Sequence, residues 1–146
     1  RKPSIVLKIE NRQAFENLPE LLLAALEHAP AAVMVARGDL AVEIGFERLA
    51  EVQEEMLWLC EAAHVPVIWA TQVLDTLART GAPTRAEVTD AAMAGRAEGV
   101  MLNKGPYVDE AIDFLDDVLG RMRDHQDKKT AMLRKLHVSG KSSAAT

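Results

Sequence analysis

Four positions, Lys8, Asp39, Thr71 and Asn103, stand 31, 32 and 32 residues apart, and each marks the end of a short apolar, β-rich run. The runs are Ile5 to Ile9, Ala32 to Ala36, Val65 to Ala70 and Gly99 to Leu102. A strand, a crossover helix and the return to a parallel strand take about 30 residues. The spacing therefore predicts an α/β chain of four parallel βα units. Eight such units close into a barrel of about 250 residues, so a 146-residue chain with four of them amounts to half of a (β/α)8 TIM barrel. Half a barrel leaves its first and last strands with unpaired backbone groups and gives the inward side chains no opposing layer. Something has to complete it: an upstream half of the polypeptide, a second copy, or nothing if the element is an excised fragment. With only Arg1, Lys2 and Pro3 before the first strand, the upstream half is the expectation.

The intervening segments fit. Asn17 is placed to cap a helix that begins at Pro19, with Leu21, Leu22, Ala25 and Leu26 facing the sheet. A second helix is expected from about Glu47 to Ala63 with Leu49, Val52, Met56, Leu59 and Cys60 on one side, and Pro66 bars its continuation. A short helix through Leu74 and Leu77 leads to the Gly81-Ala82-Pro83 turn. Thr84-Arg85-Ala86-Glu87 then supplies a capping box for the next helix. The last helix follows Gly105-Pro106 and carries Ile112, Leu115, Val118, Leu119 and Met122 inward, with Asp109, Glu110, Asp113, Asp116 and Asp117 on a solvated face. The organisation expected is a half-barrel domain over 1–124 and, over 125–146, a basic helical extension (Lys128, Lys129, Arg134, Lys135) that frays into Ser-, Ala- and Gly-rich sequence.

With 49% hydrophobic residues the chain can bury a real core, and a formal net charge of -5 argues against nucleic acid as a partner. No apolar run approaches the roughly 20 residues needed to span a bilayer, so no membrane partner is expected. The single Cys60 allows no internal disulfide; a cytoplasmic home is expected. Trp58 and Trp69 read as packing or interface residues. His28 and His64 fall near helix ends and His125 and His137 in the basic segment, so none is expected to do catalytic or zinc chemistry.

The chemistry gathers at the strand ends. Val33-Met34-Val35-Ala36 is a strand covered on both faces whose C-terminal mouth opens on Arg37-Gly38-Asp39. Lys8 and Glu10, two apart on a pleated chain, project from one face of the first strand and pair a cation with a carboxylate.

These stretches carry a resemblance. Lys8-Ile9-Glu10-Asn11, then Met34 to Leu40 (Met-Val-Ala-Arg-Gly-Asp-Leu) with Val42-Glu43-Ile44, then Ala70-Thr71-Gln72, then Pro83-Thr84-Arg85-Ala86-Glu87 resemble, in order and spacing, the second half of the pyruvate kinase barrel. The likeness covers roughly residues 4 to 120 and implies the C-terminal half of the barrel, strands five to eight. It implies Mg²⁺-dependent phosphoryl transfer between phosphoenolpyruvate and ADP, giving pyruvate and ATP. By that resemblance Glu10 and Asp39 hold Mg²⁺ and Lys8 lies against the migrating phosphoryl group. The backbone N–H groups of Gly38 and Asp39 receive the substrate carboxylate, and Thr71 sits near the methylene carbon that is protonated. Arg37 and Arg85 brace the loops. The potassium ligands, the phosphate-binding arginine and the lid domain would belong to the N-terminal barrel half, so this chain alone is not expected to be an efficient catalyst. A homo-oligomer built through barrel helices is implied as well.

The chain departs from the family where Ser-Gly-Glu-Thr-Ala usually follows the eighth strand: here stand Asn103-Lys104-Gly105-Pro106-Tyr107, and Ala41 replaces a usual glycine. A C-terminal effector domain is not expected. Lys104, before a helix start, becomes a candidate substrate-binding residue for a nucleotide phosphate. Two other readings compete: a non-catalytic pyruvate-kinase-like binding or assembly module, and a Mg²⁺-dependent lyase acting on a related enolate acid.

Overall fold

A computed structural model describes residues 3–27 and 30–129, with side chains to 123. His28, His125 and His137, and the basic tail beyond Lys129, lie outside what it describes in whole or in their side chains. Four strands, β1 (Ile5–Ile9), β2 (Ala31–Ala36), β3 (Val67–Val73) and β4 (Gly99–Leu102), form one sheet in the order β1-β2-β3-β4. All three pairings are parallel. Helices α1 (Arg12–Glu16) and α2 (Leu18–Leu26) join β1 to β2. Then come α3 (Arg37–Ile44) and α4 (Leu49–Ala62), α5 (Asp75–Thr80) and α6 (Arg85–Met93), and finally α7 (Val108–Lys129) after β4. This is the half barrel that the 32-residue spacing predicts.

Register sorts the side chains into two faces. Ile9, Val35 and Trp69 pair across β1 to β3, with Val100 next on β4. The first three are buried under the helices, and Val100 packs against the same core. The alternate row, Lys8, Met34, Ile68 and Gly99, faces the other way. Among the described residues no second layer covers that face, and Val6, also on it, is 46% exposed. The helical side of the core is supplied by Leu18, Leu22 and Ala25 of α2, by Val52, Met56, Leu57 and Cys60 of α4, and by Ala111, Leu115 and Val118 of α7.

Several expectations shift by a turn or a residue. Leu26 and Ile112 are exposed, because the buried stripes run through Leu22 and Ala25 and through Ala111 and Leu115. The third strand starts after Pro66, which has no N–H to donate and instead accepts from the Val33 N–H (2.9 Å). It continues past Ala70 to Val73 through an irregular pairing. Asn17 occupies the N-cap position of α2, but its side chain turns back and donates to the Gln13 carbonyl (2.9 Å). The reason is an unforeseen helix: Asn11 Oδ1 accepts from the Ala14 N–H (2.8 Å) and starts α1 directly after the strand. The capping box forms as expected: Thr84 Oγ1 accepts from the Glu87 N–H and Glu87 from the Thr84 N–H. Helix α7 runs on through residue 124 to Lys129.

Candidate active site

Each strand of a parallel sheet delivers its last residues to one rim, and here that rim collects the candidate residues from β1, β2 and β3. At the end of β1 the Lys8 ammonium forms an ion pair with the Glu10 carboxylate, their side chains 51% and 41% exposed. In this chain by itself, a pair that open to solvent contributes little to stability. The hydrogen bond and charge of Glu10 raise the Lys8 pKa above its ordinary 10.5, slight burial works against this, and the Asp39 carboxylate adds to it. Lys8 is therefore a full cation at neutral pH with two carboxylates in its field.

Asp39 comes from the neighbouring strand. Ile9 pairs with Val35, which sets Glu10 beside the end of β2, and the chain enters α3 at once, with Asp39 in its first turn. A helix start leaves N–H groups without intrahelical partners. Ala36, at the N-cap, has no side chain that can satisfy them. The Gly38 N–H is met across the rim instead, by Thr71 Oγ1 at 2.8 Å. A Cβ on Gly38 would stand 3.4 Å from that oxygen, close to ordinary contact, so packing within the chain does not by itself demand glycine here.

Thr71 and Gln72 both adopt left-handed backbone, φ 64° and 58°. For a β-branched residue this is a true outlier, costing on the order of 1–3 kcal/mol. Arg37 supplies the offset. Its guanidinium donates from Nε to the Ala70 carbonyl (2.8 Å) and from Nη2 to the Thr71 carbonyl (2.6 Å), and Nη1 pairs with the Asp90 carboxylate. Its plane lies over the Trp69 ring, 4.7 Å from the centroid. Hydrogen bonds from a charged donor contribute about 1.5–3 kcal/mol each, enough to hold the strained turn. Arg37 is 8% exposed, so its expected bracing role is met. Arg85 is exposed at the first residue of α6, and among the described residues it is Asp90, further along that helix, that pairs with Arg37.

A cleft of about 560 Å³ opens here, lined by Gly38, Asp39, Thr71, Gln72, Glu87 and Asp90 among others. Lys8, Glu10 and Lys104 are not part of its lining, and Lys104 is exposed on the loop after β4. That loop is fixed by other contacts. Asn103 Nδ2 donates to Asp75 Oδ1 (2.6 Å) and the Tyr107 N–H to the Ala78 carbonyl (3.0 Å). At Gly105 a Cβ would fall 2.1 Å from the Ala78 carbonyl oxygen, so glycine is obligatory. Asp90, Gln72 and the Asn103–Asp75 bond had no signal in the sequence, since each depends on a partner brought from another unit.

Do these residues suit the cation that the resemblance implies? Among the described residues no three acids or imidazoles gather as a metal cage. Mg²⁺ does not ask for one, because it is typically held by one or two carboxylates and completes its shell with water and substrate oxygens. Glu10 and Asp39, hard donors on neighbouring strand ends and both acting on Lys8, fit that donor set.

The half barrel thus presents a lysine, two carboxylates and the first amides of α3 at its C-terminal rim. Comparison with known proteins carries this further. The sequence profile "Pyruvate kinase, barrel domain" matches residues 1–112. The chain is 37% identical over 131 residues to the pyruvate kinase of Bacillus licheniformis (86% of this chain, 22% of that protein). It is 40% identical over 102 residues to plastidial pyruvate kinase 3 of Arabidopsis thaliana (68% and 17%). It is 38% identical over 117 residues to pyruvate kinase 2 of Saccharomyces cerevisiae (76% and 22%). The chain belongs to the pyruvate kinase family and spans about a fifth of the length of these relatives. Among the described residues no helix is long and apolar enough to cross a membrane.

Proposed function

We propose that this chain is the C-terminal half of a pyruvate kinase-type catalytic barrel, transferring a phosphoryl group between phosphoenolpyruvate and ADP when the N-terminal half completes the rim. The observation that carries the reading is the convergence of Lys8, Glu10 and Asp39 beside the Gly38–Thr71 bond at one end of the sheet.

Phosphoryl transfer asks mainly for positioning and for charge neutralisation on the migrating group and on the enolate left behind. Lys8, protonated throughout the neutral range, faces the phosphoryl oxygens. Glu10 and Asp39 would hold Mg²⁺, which supplies Lewis-acid stabilisation of the same charge. The first-turn amides of α3 at Gly38 and Asp39 receive the substrate carboxylate, as helix-start donors do. The Gly38 donor is already engaged by Thr71 Oγ1, so the carboxylate shares or displaces that bond. Displacement frees the Thr71 hydroxyl to face substrate, where it can order, through a water, the proton delivered to the methylene carbon. The family's place in glycolysis supports a cytoplasmic site of action.

The test is an assay of the completed barrel, this chain joined to the other four βα units, with phosphoenolpyruvate, ADP and Mg²⁺. ATP and pyruvate formation, abolished by Lys8→Met, is the expected result. A completed barrel that is inert with these substrates but decarboxylates oxaloacetate would replace this reading with the lyase, and one inert with both would leave a binding module.

A further inference from the structure

Resting on that reading, we propose that Arg37 is a positioning residue: it imposes the left-handed turn at Thr71 and Gln72 and so delivers the Thr71 hydroxyl to the start of α3, with Asp90 keeping the guanidinium in register. In an extended strand successive carbonyls point to opposite sides, so one planar group cannot donate to two of them in a row. Arg37 donates to both the Ala70 and the Thr71 carbonyl, which requires the backbone to turn between them. The turn is there, in two consecutive left-handed residues, neither of them glycine. It falls where the pairing of β3 with β4 loses its regular register, between Trp69 and Val73.

The guanidinium is itself fixed, buried between the Trp69 ring and the Asp90 carboxylate, and it stands one residue before Gly38. The segment carrying Asp39 and the segment carrying Thr71 are thus held through one side chain as a single body. Lysine, a single-centred cation without the fork, cannot bridge two carbonyls and a carboxylate together.

The experiment compares Arg37→Lys, Asp90→Asn and the double variant Arg37→Lys with Gln72→Gly, in the full chain and in the completed barrel. In the full chain, the backbone chemical shifts of Thr71 and Gln72 report whether the left-handed turn survives. In the completed barrel, kcat is read separately from KM and from Mg²⁺ affinity. Arg37→Lys should lose the left-handed shifts and lower kcat by roughly a hundredfold, the scale of a misplaced reacting group, with Mg²⁺ affinity retained. Asp90→Asn should shift both readouts in the same direction by less. Glycine at 72 takes positive φ freely, so the double variant should recover part of kcat.

Left-handed shifts that persist in Arg37→Lys would overturn the proposal, as would an unchanged kcat or a glycine that restores nothing. If Arg37→Lys does not fold, Asp90→Asn decides by the same readouts. If the unmodified barrel shows no phosphoryl transfer, the functional reading fails alone and the chemical shifts still decide the role of Arg37.

Discussion

Lys8 and Thr71 illustrate how differently two residues at one rim are controlled. Lys8 needs nothing beyond its strand: alternation puts it on the face of Glu10, and the pair forms. Thr71 is held by a partner 34 residues earlier, in a backbone conformation it would not choose. Glu87 is a third case. Partial burial would raise its pKa, but N–H donors from Thr84 and Thr76 outweigh that and lower it below the ordinary 4.5. A carboxylate lowered in the folded state adds stability above its unfolded pKa and loses it as pH falls through the folded value. Glu87→Gln should therefore destabilise the chain by about 1 kcal/mol at neutral pH, and flatten the loss that the unmodified chain shows below pH 4.5. Denaturant titrations at pH 7 and pH 3.5 check both. Lys104, exposed and outside the cleft, makes a sharper test of substrate binding. If it holds a nucleotide phosphate, Lys104→Ala in the completed barrel should raise the KM for ADP about tenfold, the loss of one charge-assisted contact, with the KM for phosphoenolpyruvate unchanged.

At the scale of elements, the connections were harder to read than the strands. Helix α3 begins on Ala36, lacks a side-chain cap of its own and is capped from β3, so nothing local in Arg37-Gly38-Asp39 announced a helix. The usual glycine after Leu40 is Ala41 here, which is buried in the interior of α3, a position where alanine suits a helix better. Helix α4 ends with His64 in the left-handed conformation, φ 54°, exposed, its N–H donating to the Glu61 carbonyl. Such a helix terminus ordinarily takes glycine. His64→Gly should relieve about 1 kcal/mol of backbone strain and raise the midpoint of thermal unfolding by a few degrees, a shift that calorimetry would detect.

Across the whole molecule, the sheet has one finished face and one unfinished face. Ile9, Val35 and Trp69 are sealed under helices, whereas Val6 on β1 is exposed and the row Lys8, Met34, Ile68 and Gly99 meets no opposing layer among the described residues. Among the described residues the outer strands β1 and β4 each pair on one side only. A sheet in that condition offers apolar surface and free backbone donors to whatever can pair with them. The chain alone should bind a hydrophobic fluorescent dye strongly. Titration with the complementary four βα units should remove that signal with a one-to-one endpoint, in step with the appearance of phosphoryl transfer. Dye binding that is weak from the start, or that survives saturation with the other half, would mean that this face is covered in another way.

The sequence by itself determined the four strands, their parallel order, the half-barrel architecture, the capping box at Thr84 and the family, because each of these is written in local periodicity or in contiguous motifs. Lys8 with Glu10 was legible for the same reason: their relation is fixed by the two-residue repeat of one strand. Tertiary structure alone decided the left-handed turn at Thr71, the ion pair of Arg37 with Asp90, the bond from Asn103 to Asp75 and the isolation of Lys104 from the cleft. These depend on which unit folds against which, through contacts between residues 28 to 53 positions apart, and no local pattern of side chains encodes such a distance.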